Sequence, residues 1–214
     1  MTLDNDIQTK IREIEDITAP FYKLKEIVRK GWVNKLKLKN PETVASHTLL
    51  MIVLVLYFTS NRPYSDKKKL RLIEMILVHD LAESVVGDIT PDSKRYPGKK
   101  TLENRTFKDI MERLPSSKFK NILNTSWNQF NTISSIDAQY VHVIDKLEMI
   151  LQGNYYQNNR KNVTSKQLQA FKNSAALLTN ENLNLFERSK SKNSKVIESD
   201  LSEIKEILAY LCRQ

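Results

Sequence analysis

Along most of this chain the apolar positions recur at steps of three and four residues, the period of a helix buried on one side. Leu70, Ile73, Ile76 and Leu77 share one such face, and Ser65-Asp66 ahead of them supplies a cap and an acid for the first turn. That helix is predicted to end between His79 and Ser84. A different pattern fills Leu49 to Phe58, an unbroken apolar run with no polar stripe. A helix buried on all sides accounts for it better than a membrane span, which needs about 20 residues. Asn40-Pro41-Glu42 carries a capping residue, a proline suited to a first turn and an acid, so the run is predicted to lie on a helix from Pro41 to about Thr59. Asn61-Arg62-Pro63 stops it.

Gly87 to Gly98, with prolines at 91 and 97, reads as an irregular loop. Helices are expected near Thr101 to Arg113, Ser117 to Phe130 and Ser134 to Tyr156. Ile197, Leu201, Ile204, Leu208 and Leu211 form one apolar stripe, suited to core packing or, alternatively, to a subunit interface. Lys190 to Lys195 reads as a solvated linker before it. Without a repeat or a convincing strand, the pattern predicts an all-α fold.

Composition narrows the picture. The chain has 214 residues, 40% of them apolar, which suits one domain with a sizeable core. Four glycines and six prolines are too few for a β-sandwich or barrel. The single cysteine, Cys212, excludes an intrachain disulfide and a thiolate zinc cluster, and points to the cytoplasm. The opening MTLDNDIQTKIREIEDI is polar and carries acids, unlike a signal peptide, so no membrane association is expected. Net charge is +9, spread over Lys35, Lys37 and Lys39, Lys67 to Lys69, Lys99 and Lys100, and Lys190 to Lys195. No aromatic-interleaved basic stripe accompanies it, so it reads as a solvated surface and argues against nucleic acid.

The chemistry concentrates in a few strings. Two of the three histidines, His47 in TVASH and His79 in LVHDLAESVVGD, stand beside or ahead of carboxylates, and Asp145 lies in VIDKLE. Imidazole and carboxylate together bind first-row divalent metals and leave positions for water and substrate. On a helix, His79 and Asp80 each share a face with Glu83. His79 and Asp80 themselves diverge by about 100°, so one ion takes both only at their shared edge, with His47 and Asp145 as suitable further donors. Asp145 sits among Val141, Val143, Ile144 and Leu147, where a carboxylate needs a metal, a lysine or an arginine as partner.

The order His47, His79-Asp80, Asp145, with the strings RKGW, PETVASH, LVHDLAESVVGDITP and DKLEMILQ, resembles the HD-domain phosphohydrolases, and among them the 5′-deoxynucleotidase branch, over about Phe21 to Asn158. The resemblance implies an HD-domain helical bundle spanning 1–214, with its core at about 21–158 and C-terminal helices over 164–214. It implies a homodimer and one divalent cation (manganese, cobalt, nickel, iron, zinc or magnesium) on His47, His79, Asp80 and Asp145. Glu83 and Asp88 match the family's catalytic acids, and Trp32 the tryptophan beside the nucleotide sugar. Bacterial relatives place a phosphate-binding arginine just before that tryptophan. Here Gly31 holds that position and Arg29 is the nearest arginine, an R-x-G-W arrangement shared with eukaryotic relatives.

The implied reaction is hydrolysis of deoxynucleoside 5′-monophosphates to deoxynucleoside and phosphate. An extra residue within VNKLKLKN, and GKKTLENRTF where many relatives are acid-rich, leave another nucleotide or a small phosphomonoester open as substrate. A non-catalytic basic helical binding protein with a residual metal site is the remaining alternative; the intact ligand and acid positions argue against it. Read singly, Trp32 is either a core residue or a sugar contact, Asp88 either an acid or a turn cap, and His142, one turn before Asp145, either a further ligand or, as relatives with lysine there imply, a residue at the surface or behind the ligands. Trp127, Tyr155 and Tyr156 read as packing residues. Lys94, Arg95, Lys99 and Lys100 read as solvated, or as gathering an anionic substrate.

Overall fold

The computed structural model describes residues 3–133, 135–181 and 195–214. In chain order the helices are α1 (Leu3–Leu24), α2 (Lys30–Leu36), α3 (Val44–Ser60), α4 (Asp66–Val78), α5 (Glu83–Val86), α6 (Lys99–Arg113), α7 (Lys118–Thr132), α8 (Ile136–Asn159), α9 (Ser165–Glu181) and α10 (Lys195–Arg213). Among the described residues the one extended pairing is an isolated antiparallel bridge between Val28 and Thr43. The fold is all-α, as the apolar periodicity predicts.

Helix α8 forms the centre, packed against α3, α4, α7, α9 and α10. It is long and buried on most sides: Tyr140, Val141, Val143, Ile144, Leu147 and Ile150 all lie in one core cluster. The C-terminal stripe joins that cluster, with Ile197, Leu201, Ile204 and Leu208 each at most 1% exposed, so it serves the core and not a subunit interface. Arg62 ties the α3–α4 turn to α10 through Asp200 and Glu203. A second core cluster joins the end of α1, α6 and α7 around Leu24, Phe107, Leu123 and Trp127.

Side-chain caps set several boundaries. Ser65, Ser117 and Ser135 each accept the backbone N–H three residues on, a contact worth about 1 kcal/mol apiece. The start of α3 differs from the expectation. Thr43, not the Asn40-Pro41 pair, is its cap, accepting the Ser46 N–H. Residues 41–43 run extended because the Arg29 N–H donates to the Glu42 carbonyl and the Val44 N–H to that of Ile27. This pairing turns the Glu42 side chain inward.

Helix α3 also departs from the all-round burial predicted for it. Met51, Val55 and Phe58 are buried, but Leu49, Leu50, Val53, Leu56 and Tyr57 are exposed. Tyr155 is likewise exposed, whereas Trp127 and Tyr156 pack inside as expected. The linker expected at Lys190 to Lys195 lies outside the described residues except Lys195, which opens α10, and Ser134 lies outside them too.

Candidate metal centre and substrate cavity

Three segments converge where α3, α4 and α8 meet. His47 lies one turn into α3, fully buried. His79 and Asp80 follow the last residue of α4 in a tightened turn, where the Leu81 N–H donates to the Val78 carbonyl and the Glu83 N–H to that of Asp80. This turn resolves the geometric difficulty of two adjacent ligands: His79 Nε2 and Asp80 Oδ2 lie 3.1 Å apart. Asp145 comes from the middle of α8, with Oδ1 3.2 Å from His47 Nε2. The two imidazole centroids are 5.5 Å apart.

Donor atoms of His47, His79 and Asp80 fall within 4.8 Å of one another. Asp145 stands outside that trio, touching it through His47 while its Oδ2 accepts a 2.8 Å hydrogen bond from Lys146. Both histidine Nε2 atoms are buried without a hydrogen-bond partner, since the neighbouring carboxylates are near but poorly aligned. Their Nδ1 atoms are engaged: His79 donates to the Ile76 carbonyl at 2.7 Å, and His47 contacts Glu148. Each ring is thereby oriented with its Nε2 toward a carboxylate, Asp145 for His47 and Asp80 for His79. Two orphaned nitrogens beside carboxylate oxygens fit a divalent cation.

Electrostatics agree with the fit. Burial opposes ionisation of Asp80, but His79, Arg29 and His47 outweigh it and hold its carboxyl well below the usual range. Asp145 is held low in the same way, against burial, chiefly by Lys146 and His47. For His47, burial and Arg29 oppose a charge, yet Glu148 and Asp145 prevail and raise its pKa to about 9. Without a metal, positive charge collects on the imidazole that the cation would take.

Glu42 and Glu148, which the sequence reading did not single out, support this centre. Glu42 Oε1 accepts the Trp32 indole N–H at 2.8 Å and lies 3.6 Å from Arg29 Nε. Burial, then the charge of Glu148, push Glu42 up to about 7. Arg29 spans the carboxylates, 3.7 Å from Asp80 and 4.0 Å from Asp145, and they keep it protonated despite burial. Glu148 follows Asp145 by three residues on α8, the spacing that puts both on one face, which is the signal that marks it. Replacing Glu148 by glutamine, which keeps an acceptor for His47 but not the charge, is expected to weaken metal binding about 10-fold, and alanine up to about 100-fold. Titration with cobalt(II), followed by its absorption bands, checks this; unchanged affinity in both variants contradicts it.

Glu83 is 3% exposed and lies 3.2 Å from Lys99 Nζ. Burial, reinforced by Asp80 and Asp88, pushes its carboxyl well above the ordinary value. Lys99 is thus bound and not solvated. Asp88 both caps and faces the site: its Oδ2 accepts the Lys30 N–H at 2.6 Å, holding the start of α2, and it lines a cavity of about 260 Å³. Arg29, Trp32, Lys35, Lys99, Lys146 and Phe171 also line that cavity. Trp32 is only 1% exposed, stacked on Phe171 of α9 at 4.3 Å and edge-on to Tyr156. Gly31 and Gly153 make room for this stack, since a Cβ would come within 3.2 Å of Phe171 at Gly31 and 3.1 Å of Leu168 at Gly153. His142 sits behind the centre, stacked on Phe130 and bonded to its carbonyl, with burial lowering its pKa.

The chain belongs to the HD domain family, whose model matches its residues 21–186, the span that carries His47, His79-Asp80 and Asp145. Within it, human 5′-deoxynucleotidase HDDC2 is 35% identical over 136 residues, covering 63% of this chain and 64% of that protein. The match thus spans slightly under two thirds of the human relative. The Dictyostelium discoideum 5′-deoxynucleotidase HDDC2 is 33% identical over 155 residues, covering 70% of this chain and 80% of the relative. Among solved structures, a predicted metal-dependent phosphohydrolase from Magnetospirillum magnetotacticum shares the fold, with a TM-score of 0.63 at 16% identity, covering 97% of this chain and 93% of that one.

Proposed function

We propose that this protein is a divalent-metal-dependent phosphohydrolase that splits deoxynucleoside 5′-monophosphates into deoxynucleoside and phosphate. The observation that carries the reading is the pair of buried, unpartnered Nε2 atoms of His47 and His79 facing Asp80 and Asp145, close to a cation-lined cavity. The names of the relatives supply the substrate class. The reading takes the chain as one HD-type domain, homodimeric and cytoplasmic. Among the described residues no helix is long and apolar enough to cross a membrane.

His47, His79, Asp80 and Asp145 would hold the cation, which supplies Lewis-acid polarisation of the phosphate and a more acidic water. Arg29, held protonated at the edge of the carboxylates, binds equatorial phosphate oxygens as their charge develops. Glu83, whose pKa burial beside Asp80 and Asp88 raises, is the stronger base for it and accepts the attacking water's proton in its ionised form. As the new oxygen–phosphorus bond forms, the bond to the 5′-oxygen breaks, and that oxygen takes up a proton equivalent to the one Glu83 accepted. Asp88 orients the water or the leaving oxygen from the cavity wall. Lys99 keeps Glu83 placed. The ring face of Phe171, backed by Trp32, with Ile89 and Met149, gives the sugar and base an apolar wall.

Chelation is expected to abolish phosphate release and added manganese or cobalt to restore it; release that survives complete metal removal overturns the reading. Metal uptake should also depend on pH. His47 must shed its extra proton to bind, so affinity should rise about tenfold per unit as pH approaches 9, then level off. Cobalt titrations from roughly pH 6 to 8.5 check this, and pH-independent affinity contradicts it.

A further inference from the structure

Four basic side chains line the cavity beside the metal centre: Arg29, Lys35, Lys99 and Lys146. Three of them are committed to acids of the protein. Arg29 lies 3.7 Å from Asp80 and 4.0 Å from Asp145, Lys99 3.2 Å from Glu83 and 3.4 Å from Glu103, and Lys146 2.8 Å from Asp145. Lys35 is the exception: among the described residues its ammonium makes no ion pair and no hydrogen bond. The acid whose field reaches it, Asp92, is exposed and stands beyond ion-pair contact. Lys35 is thus a half-buried cation on the cavity wall with its N–H donors unspent.

Its place on α2 decides what those donors meet. Lys35 follows Gly31 by four residues and Trp32 by three, so all three share one face of the helix. Gly31 and Trp32 are the residues that pack on Phe171. Lys35 therefore stands one turn beyond that stack, about 9 Å along the axis from Arg29 at 1.5 Å per residue. Arg29 marks the phosphate end, because it is the cation beside Asp80 and Asp145. The order Arg29, Phe171, Lys35 matches the order phosphate, sugar, base along a nucleotide. At the base end, a nucleobase offers either an exocyclic oxo group, which accepts a hydrogen bond, or an exocyclic amino group, which donates one.

We infer that Lys35 selects the base, its ammonium donating to the exocyclic oxo group, so that hypoxanthine, guanine, uracil and thymine deoxynucleotides are preferred over those of adenine and cytosine. The inference rests on the phosphohydrolase reading above and names the substrates within it. An oxo group gains a charge-assisted hydrogen bond, whereas an amino group sets one donor against another. The preference expected from that difference is roughly 10- to 100-fold.

The test compares ligands that differ at that group: deoxyinosine with deoxyadenosine 5′-monophosphate, and deoxyuridine with deoxycytidine 5′-monophosphate. Dissociation constants come from calorimetry on the chelated full chain, where no turnover consumes the ligand, and kcat/KM from the same chain with manganese restored. The wild type is expected to favour the oxo member of each pair roughly 10- to 100-fold. Lys35→Met, of similar length but without a donor, is expected to bring both ratios close to one by weakening the oxo members alone. Lys35 leaves no partner behind in the folded chain, so this variant should melt like the wild type. Wild-type ratios near one overturn the inference, as do ratios that survive in Lys35→Met. An equal loss for all four nucleotides assigns Lys35 to the phosphate and overturns it too. Selective binding without phosphate release leaves the inference standing and sinks the enzymatic reading, whereas equal release from all four does the reverse. A chain that neither binds nor cleaves any of them overturns both.

Discussion

Asp80→Ala is expected to reduce phosphate release at least 1,000-fold, about 4 kcal/mol of transition-state stabilisation. Asp80 is one of three groups whose donor atoms converge within 4.8 Å, and it pairs with both His79 at 3.1 Å and Arg29 at 3.7 Å. Its carboxylate is held ionised by those neighbours against the cost of burial, so the alanine variant loses the negative charge that offsets two imidazoles and a guanidinium. Metal content, measured by elemental analysis after dialysis, should fall with activity. The side chain leaves no large apolar void, so helix content should remain that of the wild type. Retained metal with turnover within tenfold of wild type contradicts the assignment of Asp80 as a ligand.

Glu83→Gln separates chemistry from metal binding. The expected loss is about 100- to 10,000-fold in kcat, the range for removing a positioned general base, with bound metal unchanged. The wild-type rate should climb with pH through the raised pKa of Glu83, well above its unperturbed 4.5, because the base must be ionised to take a proton. The glutamine variant should lose that rise. Stability moves the other way: a native pKa above the unfolded one means the folded state binds more protons, so this group's contribution is fullest in acid and is lost as pH rises. Thermal melts of metal-free wild type and variant across that range should therefore differ in slope. Turnover equal to the wild type, with metal bound, contradicts the role given to Glu83.

Much of the helical order was legible in the sequence because capping serines and apolar periods are local signals. Ser65, Ser117 and Ser135 cap their helices, and the stripe from Ile197 to Leu208 packs inside. The Asn40-Pro41-Glu42 start misled because a distant segment, Ile27 to Arg29, pairs with residues 42–44 and delays α3 to Val44. The exposed face of α3 was illegible for a similar reason: a run without polar residues has no polarity pattern to tell a buried side from an open one. In the centre, the order of His47, His79-Asp80 and Asp145 marked residues of which the structure brings His47, His79 and Asp80 within 4.8 Å of one another, with Asp145 reaching them through His47. The parts missed act through contacts distant in sequence. Glu148 reaches His47 across 101 positions, Glu42 takes the indole N–H of Trp32, and Phe171 of α9 closes over that same ring. The stack buries Trp32 more completely than a direct sugar contact would suggest, and leaves Phe171 beside it on the cavity wall.

The most direct test of the account is phosphate release from matched deoxy- and ribonucleoside 5′-monophosphates, each assayed with chelator, with manganese or cobalt restored, and with Asp80→Ala. Metal-restored release from the deoxy series, weaker from the ribo series and absent in the variant, is the predicted result. No release from any nucleotide by protein shown to carry its metal would contradict it.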